Sequence, residues 1–390
     1  MNKLPWIDAL RGLAILFVIA YHTGLHTEGL PYFLRLFTDQ GRIGVQLFYL
    51  ISAFTLFLSM NKRNKLEKTP LRNYFIRRFF RIAPLFYLVS IYCIFRYGLG
   101  PNFFIDDGNS ITIPNIIAHL TFLNGWNPYW INSLVPAGWS IAIEMPFYLL
   151  VPILFNKVKN INFAITLTSI YFVFSKIISF ILKKHPLIHD IPKWNAFLYY
   201  WLPNQLPYFL LGTILYFLIQ NSIKNPRDSR TNHSRFIQLR NTIIPLLLMC
   251  LSLQIFCFVN KINTNIIEFV YGIGFAALAF WLSYNSFSIL VNPFLCYLGT
   301  VSYSAYLIHI EVISFSQNIL NNALSILKIN LSPTLNFIIL FMNVLVITLT
   351  LSSLTYKFIE IPGMAIGRNL LKKLESSGWG ILVVQSLFCS

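Results

Sequence analysis

The chain has 390 residues, of which 56% are hydrophobic and 11% are charged, and long apolar runs recur along most of it. This composition excludes a soluble domain of useful size and predicts an all-α polytopic membrane protein that contacts membrane lipids. The formal net charge of +17 does not indicate nucleic-acid binding, because the basic residues cluster in short loops between apolar runs. The five cysteines form no CxxC motif, so neither a disulfide framework nor a metal site is expected.

The apolar runs predict about ten transmembrane helices. The first run keeps Asp8 and Arg11 and is followed by no small-residue cleavage site, so we expect a retained helix rather than a signal peptide. With the N-terminus inside, the inner segments hold twenty Lys and Arg residues and the outer segments seven, which predicts cytoplasmic termini. The predicted spans are 7–24, 43–60, 82–99, 137–155, 163–182, 203–221, 242–259, 265–285, 295–317 and 334–359.

Two further features of the organisation follow from these spans. The stretch from residue 101 to 136 is expected to be an outward-facing loop with a short helix at about 111–123. We assign residues 1–362 to one transmembrane domain and residues 363–390 to a short cytoplasmic tail.

The first predicted span contains an arginine and a histidine on nearly one stripe. Arg11 and His22 are eleven residues apart, which places them about 16 Å apart along a helix. An ionisable group inside the hydrocarbon costs on the order of 3 kcal/mol, so it needs a partner or a function. A histidine that only hydrogen-bonds a neighbouring helix would account for His22 equally well.

A cluster of three arginines immediately precedes the third predicted span. Arg77, Arg78 and Arg81 enter an apolar segment, and Arg78 and Arg81 share a helical face. Because guanidinium groups bind phosphates through paired hydrogen bonds, this cluster predicts a site for a phosphate-bearing cofactor on the cytoplasmic side. The basic residues from 62 to 72 are explained by membrane topology alone.

The fourth predicted span carries Glu144, with Ser140 one turn before it. Estimated depths bring Glu144 to the level of His22, and a histidine paired with a carboxylate would serve as general base for a hydroxyl. A structural buried pair would look the same in the sequence. A second polar pair, His309 and Glu311 in the ninth span, favours a functional site.

These residues fall in six segments that together resemble the acyltransferase-3 family of integral membrane acyltransferases, which includes O-acetyltransferases of bacterial surface polysaccharides. The resemblance runs from about Leu4 to Pro362. Two departures affect acceptor choice rather than the core residues: Gln46 stands where many members have an acid, and Met145-Pro146 replaces a polar pair. The six segments are Asp8 to His22, Gly44 to Phe54, Phe75 to Pro84, Gly138 to Glu144, Ser302 to His309 and Tyr356 to Pro362.

The resemblance implies transfer of an acyl group, usually acetyl from acetyl-CoA, to a hydroxyl of a glycan such as O-antigen or of its lipid-linked precursor, in the bacterial inner membrane. Transfer is expected to finish within the membrane part or with a separate partner, such as a polysaccharide-assembly protein. By this resemblance and the polar pairs above, the expected catalytic residues are Arg11, His22, Ser140 and Glu144, the expected donor-binding residues are Arg77, Arg78 and Arg81, and the expected acceptor-binding residues are Trp139, Tyr306, His309 and Glu311.

Three alternatives remain open at this point. A covalent acyl-histidine or acyl-serine route would use the same residues as direct transfer. A transporter or flippase for a lipid-linked glycan would also need buried ionisable groups, although the sequence has no paired interrupted helices in matching halves. The third alternative is a catalytically inactive protein that binds acyl-CoA.

Overall fold

The computed structural model describes residues 4–100, 110–224, 265–285 and 287–376, and regular structure in these residues is helical. Short 3-10 turns at Gln40–Ile43 and Asn124–Trp126 and a π-helical turn at Tyr356–Glu360 connect some of the helices. The helices are α1 (Pro5–Leu25), α2 (Tyr32–Asp39), α3 (Gly44–Arg63), α4 (Pro70–Tyr97), α5 (Ile113–Leu120), α6 (Trp139–Lys157), α7 (Ile161–Lys184), α8 (Ile191–Tyr200), α9 (Leu202–Lys224), α10 (Asn265–Leu282), α11 (Pro293–Thr300), α12 (Ser302–Leu327), α13 (Pro333–Thr355) and α14 (Ile361–Ser376).

Several of these helices are long and apolar enough to make this a multi-pass membrane protein. The described residues contain seven such helical stretches, whereas the sequence predicted about ten spans. The predicted span 242–259 lies outside the described residues. The seven stretches are Pro5–Leu25, Tyr32–Arg63, Pro70–Tyr97, Trp139–Lys157, Ile161–Lys184, Ile191–Ser222 and Pro333–Ser376.

The predicted span 295–317 is not one helix. It is divided between α11, which ends at Thr300, and α12, which begins at Ser302. The apolar run is continuous across this break, so hydropathy could not locate it. The break lets α11 lie directly on α1, where a Cβ on Gly299 would fall 1.7 Å from the carbonyl oxygen of Asp8 and one on Gly12 would fall 2.1 Å from that of Leu295.

Helix α4 begins twelve residues before the predicted start at residue 82. Pro70 occupies its first turn, where the missing N–H of proline costs nothing and its fixed φ suits a helix. The arginines of the predicted cluster are therefore all helical. Within α4, Arg78 and Arg81 lie one turn apart.

Helices α1 and α3 pack antiparallel at the centre of the bundle. The start of α3 lies against the second half of α1, because a Cβ on Gly44 would fall 2.4 Å from the carbonyl oxygen of Ala14. The start of α1, the end of α3 and the start of α4 consequently lie at one end of the bundle. We call it the basic end, and it includes Arg63, Glu67 and Arg77.

The C-terminal described segment is a continuation of the bundle. Helix α13 passes through the π-helical turn into α14, which packs along α4. The predicted domain boundary at residue 362 falls at the start of α14, within this helical segment.

We expect the close approach of α11 to α1 to be essential for stability. Gly299→Ala should lower the free energy of unfolding by about 1 to 3 kcal/mol, because the added methyl overlaps the backbone of Asp8. Thermal unfolding of the purified protein in detergent measures the effect. Gly100→Ala is the control, since its Cβ meets nothing within 4 Å. Equal unfolding midpoints for the two variants would contradict this packing.

Candidate active site

A cavity lies between five helices near the middle of the bundle, and we call it the inner cavity. Its empty space amounts to about 660 Å³. It brings together residues that are far apart in the sequence, including Arg11, Ser140 and Glu144. The residues that line it are Arg11 of α1; Val45, Phe48, Tyr49, Ser52 and Thr55 of α3; Arg78, Arg81 and Ile82 of α4; Ser140, Ile141, Glu144 and Tyr148 of α6; and Ser302, Tyr303 and Tyr306 of α12.

The carboxylate of Glu144 is held by two hydroxyl groups. Its Oε1 accepts hydrogen bonds from Ser52 Oγ and from Tyr148 OH, both at 2.6 Å. Tyr148 lies one turn after Glu144 on the same helix face, while Ser52 reaches across from α3. Because both hydroxyl groups donate to the same oxygen, they fix the position of the Glu144 side chain.

The prediction that Glu144 pairs with His22 is wrong. Glu144 contacts Ser52, which lies one turn from Thr55, and Thr55 accepts a hydrogen bond from Arg11 at 3.3 Å. Glu144 is therefore near the level of Arg11, whereas His22 lies about 16 Å further along α1. The depth estimate failed because it could not include how far one helix is shifted along another, which close backbone contacts between helices determine.

Arg11 is anchored inside the inner cavity. Its guanidinium group lies 3.7 Å from the carboxylate of Asp8, one turn earlier on α1, in addition to its hydrogen bond to Thr55. These contacts compensate part of the cost of placing a cation inside the bundle. Arg11 therefore supplies a fixed positive charge beside Glu144.

Arg78 and Arg81 line the same cavity without a counter-ion of their own. Neither forms an ion pair within the described residues, and Nε of Arg78 is buried without a hydrogen-bond partner. The guanidinium carbon of Arg78 lies 5.9 Å from the ring centroids of Tyr74 and Tyr148, so it is held by cation–π contacts. Two half-buried cations without an ion pair in the described residues are suited to an anionic ligand.

Arg77, by contrast, is engaged in an ion pair. Its Nη1 and Nη2 donate to the two carboxylate oxygens of Glu67 at 3.0 and 3.1 Å. Partial burial raises the pKa of Glu67, but the hydrogen bonds from Arg63, Arg77 and Asn73 outweigh it and hold the pKa below its ordinary value. Glu67 is thus ionised and neutralises Arg77 at the basic end.

His22 belongs to a second group of polar side chains, beyond the wall of the inner cavity. Its ring centroid lies 5.1 Å from that of His309, which in turn lies 5.6 Å from that of Tyr306. Tyr306 lines the inner cavity, and its hydroxyl donates to the carbonyl of Ala137 at 3.2 Å. A continuous series of contacts thus leads from the cavity through Tyr306 and His309 to His22.

The tautomer of His309 follows from its neighbour. Nδ1 lies 2.6 Å from the carbonyl oxygen of Tyr306, and since a carbonyl oxygen can only accept, Nδ1 carries the proton. Nε2 is then an unprotonated acceptor, and it is buried without a partner in the described residues. An unsatisfied buried nitrogen of this kind is suited to accept a hydrogen bond from a ligand hydroxyl.

The remaining predicted residues are divided between the site and its surroundings. Ser140 lines the inner cavity, where its Oγ donates to the carbonyl of Ala137 at 3.3 Å. Trp139 stacks on Tyr200 with centroids 4.4 Å apart and does not line the cavity. Glu311 accepts a hydrogen bond from Tyr97 at 2.6 Å and also lies outside it.

Among the cavity residues that the sequence interpretation missed, Ser52, Thr55 and Tyr148 are those that bond to Glu144 or Arg11. Tyr148 could have been found, because it lies four residues after Glu144 and therefore on the same helix face. Ser52 and Thr55 gave no such signal, since hydroxyl groups are common in membrane helices and their partners lie on other helices.

Comparisons with known proteins agree on the kind of protein. The acyltransferase-3 family model, described as an acyltransferase domain, matches residues 4–357. A Staphylococcus aureus strain COL protein named "Putative O-acetyltransferase" is 23% identical over 93% of this chain and 57% of its own length. The O-acetyltransferase OatA of strain MRSA252 is 26% identical over 99% of this chain and 62% of its own length. The chain thus spans less than two thirds of these relatives, and no solved structure matches it significantly.

The two hydrogen bonds of Glu144 predict an order of stability among its variants. Glu144→Gln keeps an oxygen that can accept from Ser52 and Tyr148, whereas Glu144→Ala leaves both hydroxyls unpaired. We expect the alanine variant to lose about 1 to 3 kcal/mol more unfolding free energy than the glutamine variant. Thermal unfolding in detergent measures the difference, and a glutamine variant as unstable as the alanine variant would exclude this arrangement.

Proposed function

Because the chain belongs to the acyltransferase-3 family, we propose that it is a membrane O-acyltransferase that moves an acetyl or other acyl group from acyl-CoA to a hydroxyl of a cell-surface polysaccharide or its lipid-linked precursor. The names of its relatives, O-acetyltransferases, support an oxygen acceptor and an acetyl group. The observation that carries the proposal is the pair of unpaired arginines, Arg78 and Arg81, beside the carboxylate of Glu144 in one cavity.

The donor is expected to bind from the basic end, which we assign to the cytoplasm because basic residues predominate there. Coenzyme A carries phosphate groups at one end and its thioester at the end of a long flexible arm. Arg78 and Arg81 would hold phosphate groups, which supply the counter-charge that these side chains lack. The arm would then extend past Arg11 and Glu144 towards Tyr306.

The acceptor is expected to approach from the opposite end, where His22 lies. His22 would accept the proton of the attacking hydroxyl as its oxygen forms a bond to the thioester carbonyl carbon. The carbon–sulfur bond then breaks, and the proton passes to the sulfur, so that the products are an ester and a free thiol. His309 packs on His22 and would help to hold the acceptor hydroxyl through its unpaired Nε2.

Ser140 is less suited to a covalent acyl-enzyme. Its Oγ is committed to the carbonyl of Ala137, and no histidine ring within the described residues is hydrogen-bonded to it. An unactivated serine is a weak nucleophile. We therefore favour direct transfer assisted by histidine, with Ser140 shaping the wall of the inner cavity.

We predict that the protein is required for O-acetylation of a surface glycan of its host. A deletion strain complemented with wild type should regain one acetyl signal in the NMR spectrum of the glycan that mild alkali removes. Complementation with His22→Ala should lower that signal at least a hundredfold, as expected for loss of a general base.

Membrane amounts of each variant should be matched by immunoblotting. His26→Ala is a suitable control, because His26 is an exposed residue beyond the end of α1 that contacts Gln317 rather than His309. Wild-type acetylation with His22→Ala would contradict the role of His22. Unchanged acetylation in the deletion strain together with precursor retained inside the cell would indicate a transporter instead.

The two unpaired arginines should determine donor affinity. We expect Arg78→Gln/Arg81→Gln to weaken binding of coenzyme A to the purified protein by at least tenfold, because two charge-assisted phosphate contacts are lost. Isothermal titration in neutral-lipid nanodiscs provides the dissociation constant. Arg72→Gln on the same helix is the matched control, since Arg72 does not line a cavity that contains Arg78 or Arg81. Equal affinities for coenzyme A in the wild type, the double variant and the Arg72→Gln control would refute donor binding at Arg78 and Arg81.

A further inference from the structure

A second cavity opens at the basic end between α3, α4 and α14, and we call it the end cavity. Its empty space amounts to about 1060 Å³. Apolar groups from Phe80, Met364 and Leu371 form part of its wall, and charged side chains form the remainder. The residues that line it are Arg63, Glu67, Arg77, Arg78, Phe80, Arg81, Met364, Gly367, Arg368, Leu371, Lys372 and Glu375.

The end cavity and the inner cavity share two residues. Arg78 and Arg81 line both, so this pair of side chains stands at the junction of the two spaces. A long ligand held by the arginines could occupy both cavities at once. The inner cavity would take its uncharged part and the end cavity its charged part.

The end cavity has more positive charge than its own acids can neutralise. Glu67 is already bonded to Arg63 and Arg77, at 2.8 and 3.0 Å. Glu375 accepts a hydrogen bond from Asn73 at 3.2 Å. Four basic side chains on the cavity wall form no ion pair within the described residues: Arg78, Arg81, Arg368 and Lys372.

Helix α14 is docked closely enough to present its two basic residues at a fixed place. Gly363 and Gly367 lie one turn apart and face α4, where a Cβ on Gly367 would fall 2.9 Å from Cβ of Phe80. Arg368 and Lys372 follow at the same four-residue spacing, so both stand at the edge of the end cavity. Both are exposed, so a charged ligand could reach them.

We propose that Arg368 and Lys372 of α14 bind phosphate at the nucleotide end of the acyl donor, while Arg78 and Arg81 hold the phosphate groups from which its uncharged arm enters the inner cavity. This assignment rests on the proposed function. The match to the family ends at residue 357, so α14 lies beyond it and adds a contact that the family comparison does not provide. The phosphate of an anionic lipid headgroup has the same chemistry, and the test separates the two sources.

The test uses the full chain in nanodiscs of neutral lipid, with binding measured by isothermal titration. Arg368→Gln/Lys372→Gln should weaken coenzyme A binding by about tenfold relative to wild type. It should leave the affinity for S-acetylpantetheine, which lacks the nucleotide end, unchanged. Lys373→Gln is the matched control, because Lys373 is an exposed neighbour on the same helix that does not line the end cavity.

Three other outcomes distinguish failure of this inference, failure of the proposed donor and binding of lipid headgroups. Wild-type coenzyme A affinity in the double variant would overturn this inference and leave the proposed function intact. No binding of coenzyme A to the wild type would overturn the proposed donor and this inference with it. A double variant that loses only its association with phosphatidylglycerol vesicles, at unchanged coenzyme A affinity, would show that α14 binds lipid headgroups instead.

Discussion

The arrangement of positive charge inside an apolar helix bundle is the constraint on which the rest of the structure depends. Three guanidinium groups, from Arg11, Arg78 and Arg81, line one cavity together with one carboxylate, that of Glu144. Charges in such surroundings are costly unless they are paired, hydrogen-bonded or hydrated. Asp8 and Thr55 compensate Arg11, and the rings of Tyr74 and Tyr148 compensate Arg78 only in part. The remaining excess of positive charge is best neutralised by an anionic ligand.

This distribution of charge also distinguishes the two ends of the bundle. At the basic end, a carboxylate neutralises Arg77, while other basic residues of α4 and α14 form no ion pair in the part of the chain that the structure describes. At the opposite end, the imidazole rings of His22 and His309 are in contact, and neither forms an ion pair within the described residues. An anionic donor and an uncharged hydroxyl acceptor are suited to these different surroundings. Tyr306 lies between them, because it lines the inner cavity and contacts His309.

Much of the fold and part of the inner-cavity lining could be predicted from the sequence, because hydropathy and helical spacing are local properties. The ranges of α1, α3, α6, α7 and α9 agree with predicted spans to within three residues, and the spacing of Arg78 and Arg81 correctly placed both on one face. What could not be predicted is how far one helix is shifted along another. That shift is set by close backbone contacts such as those of Gly12 and Gly299, and it separates His22 from Glu144. The packing of α14 on α4 through Gly367 could not be predicted either, because it also depends on a close contact between helices.

The most direct measurement is a cryo-EM structure of the full chain in nanodiscs with a non-hydrolysable acetyl-CoA analogue. Our account predicts density for the phosphate groups between α4 and α14, in contact with Arg78 or Arg81, and density for the acyl end in the part of the inner cavity that Tyr306 lines. Phosphate density anywhere else, for example at the end of the bundle that holds His22, would contradict it.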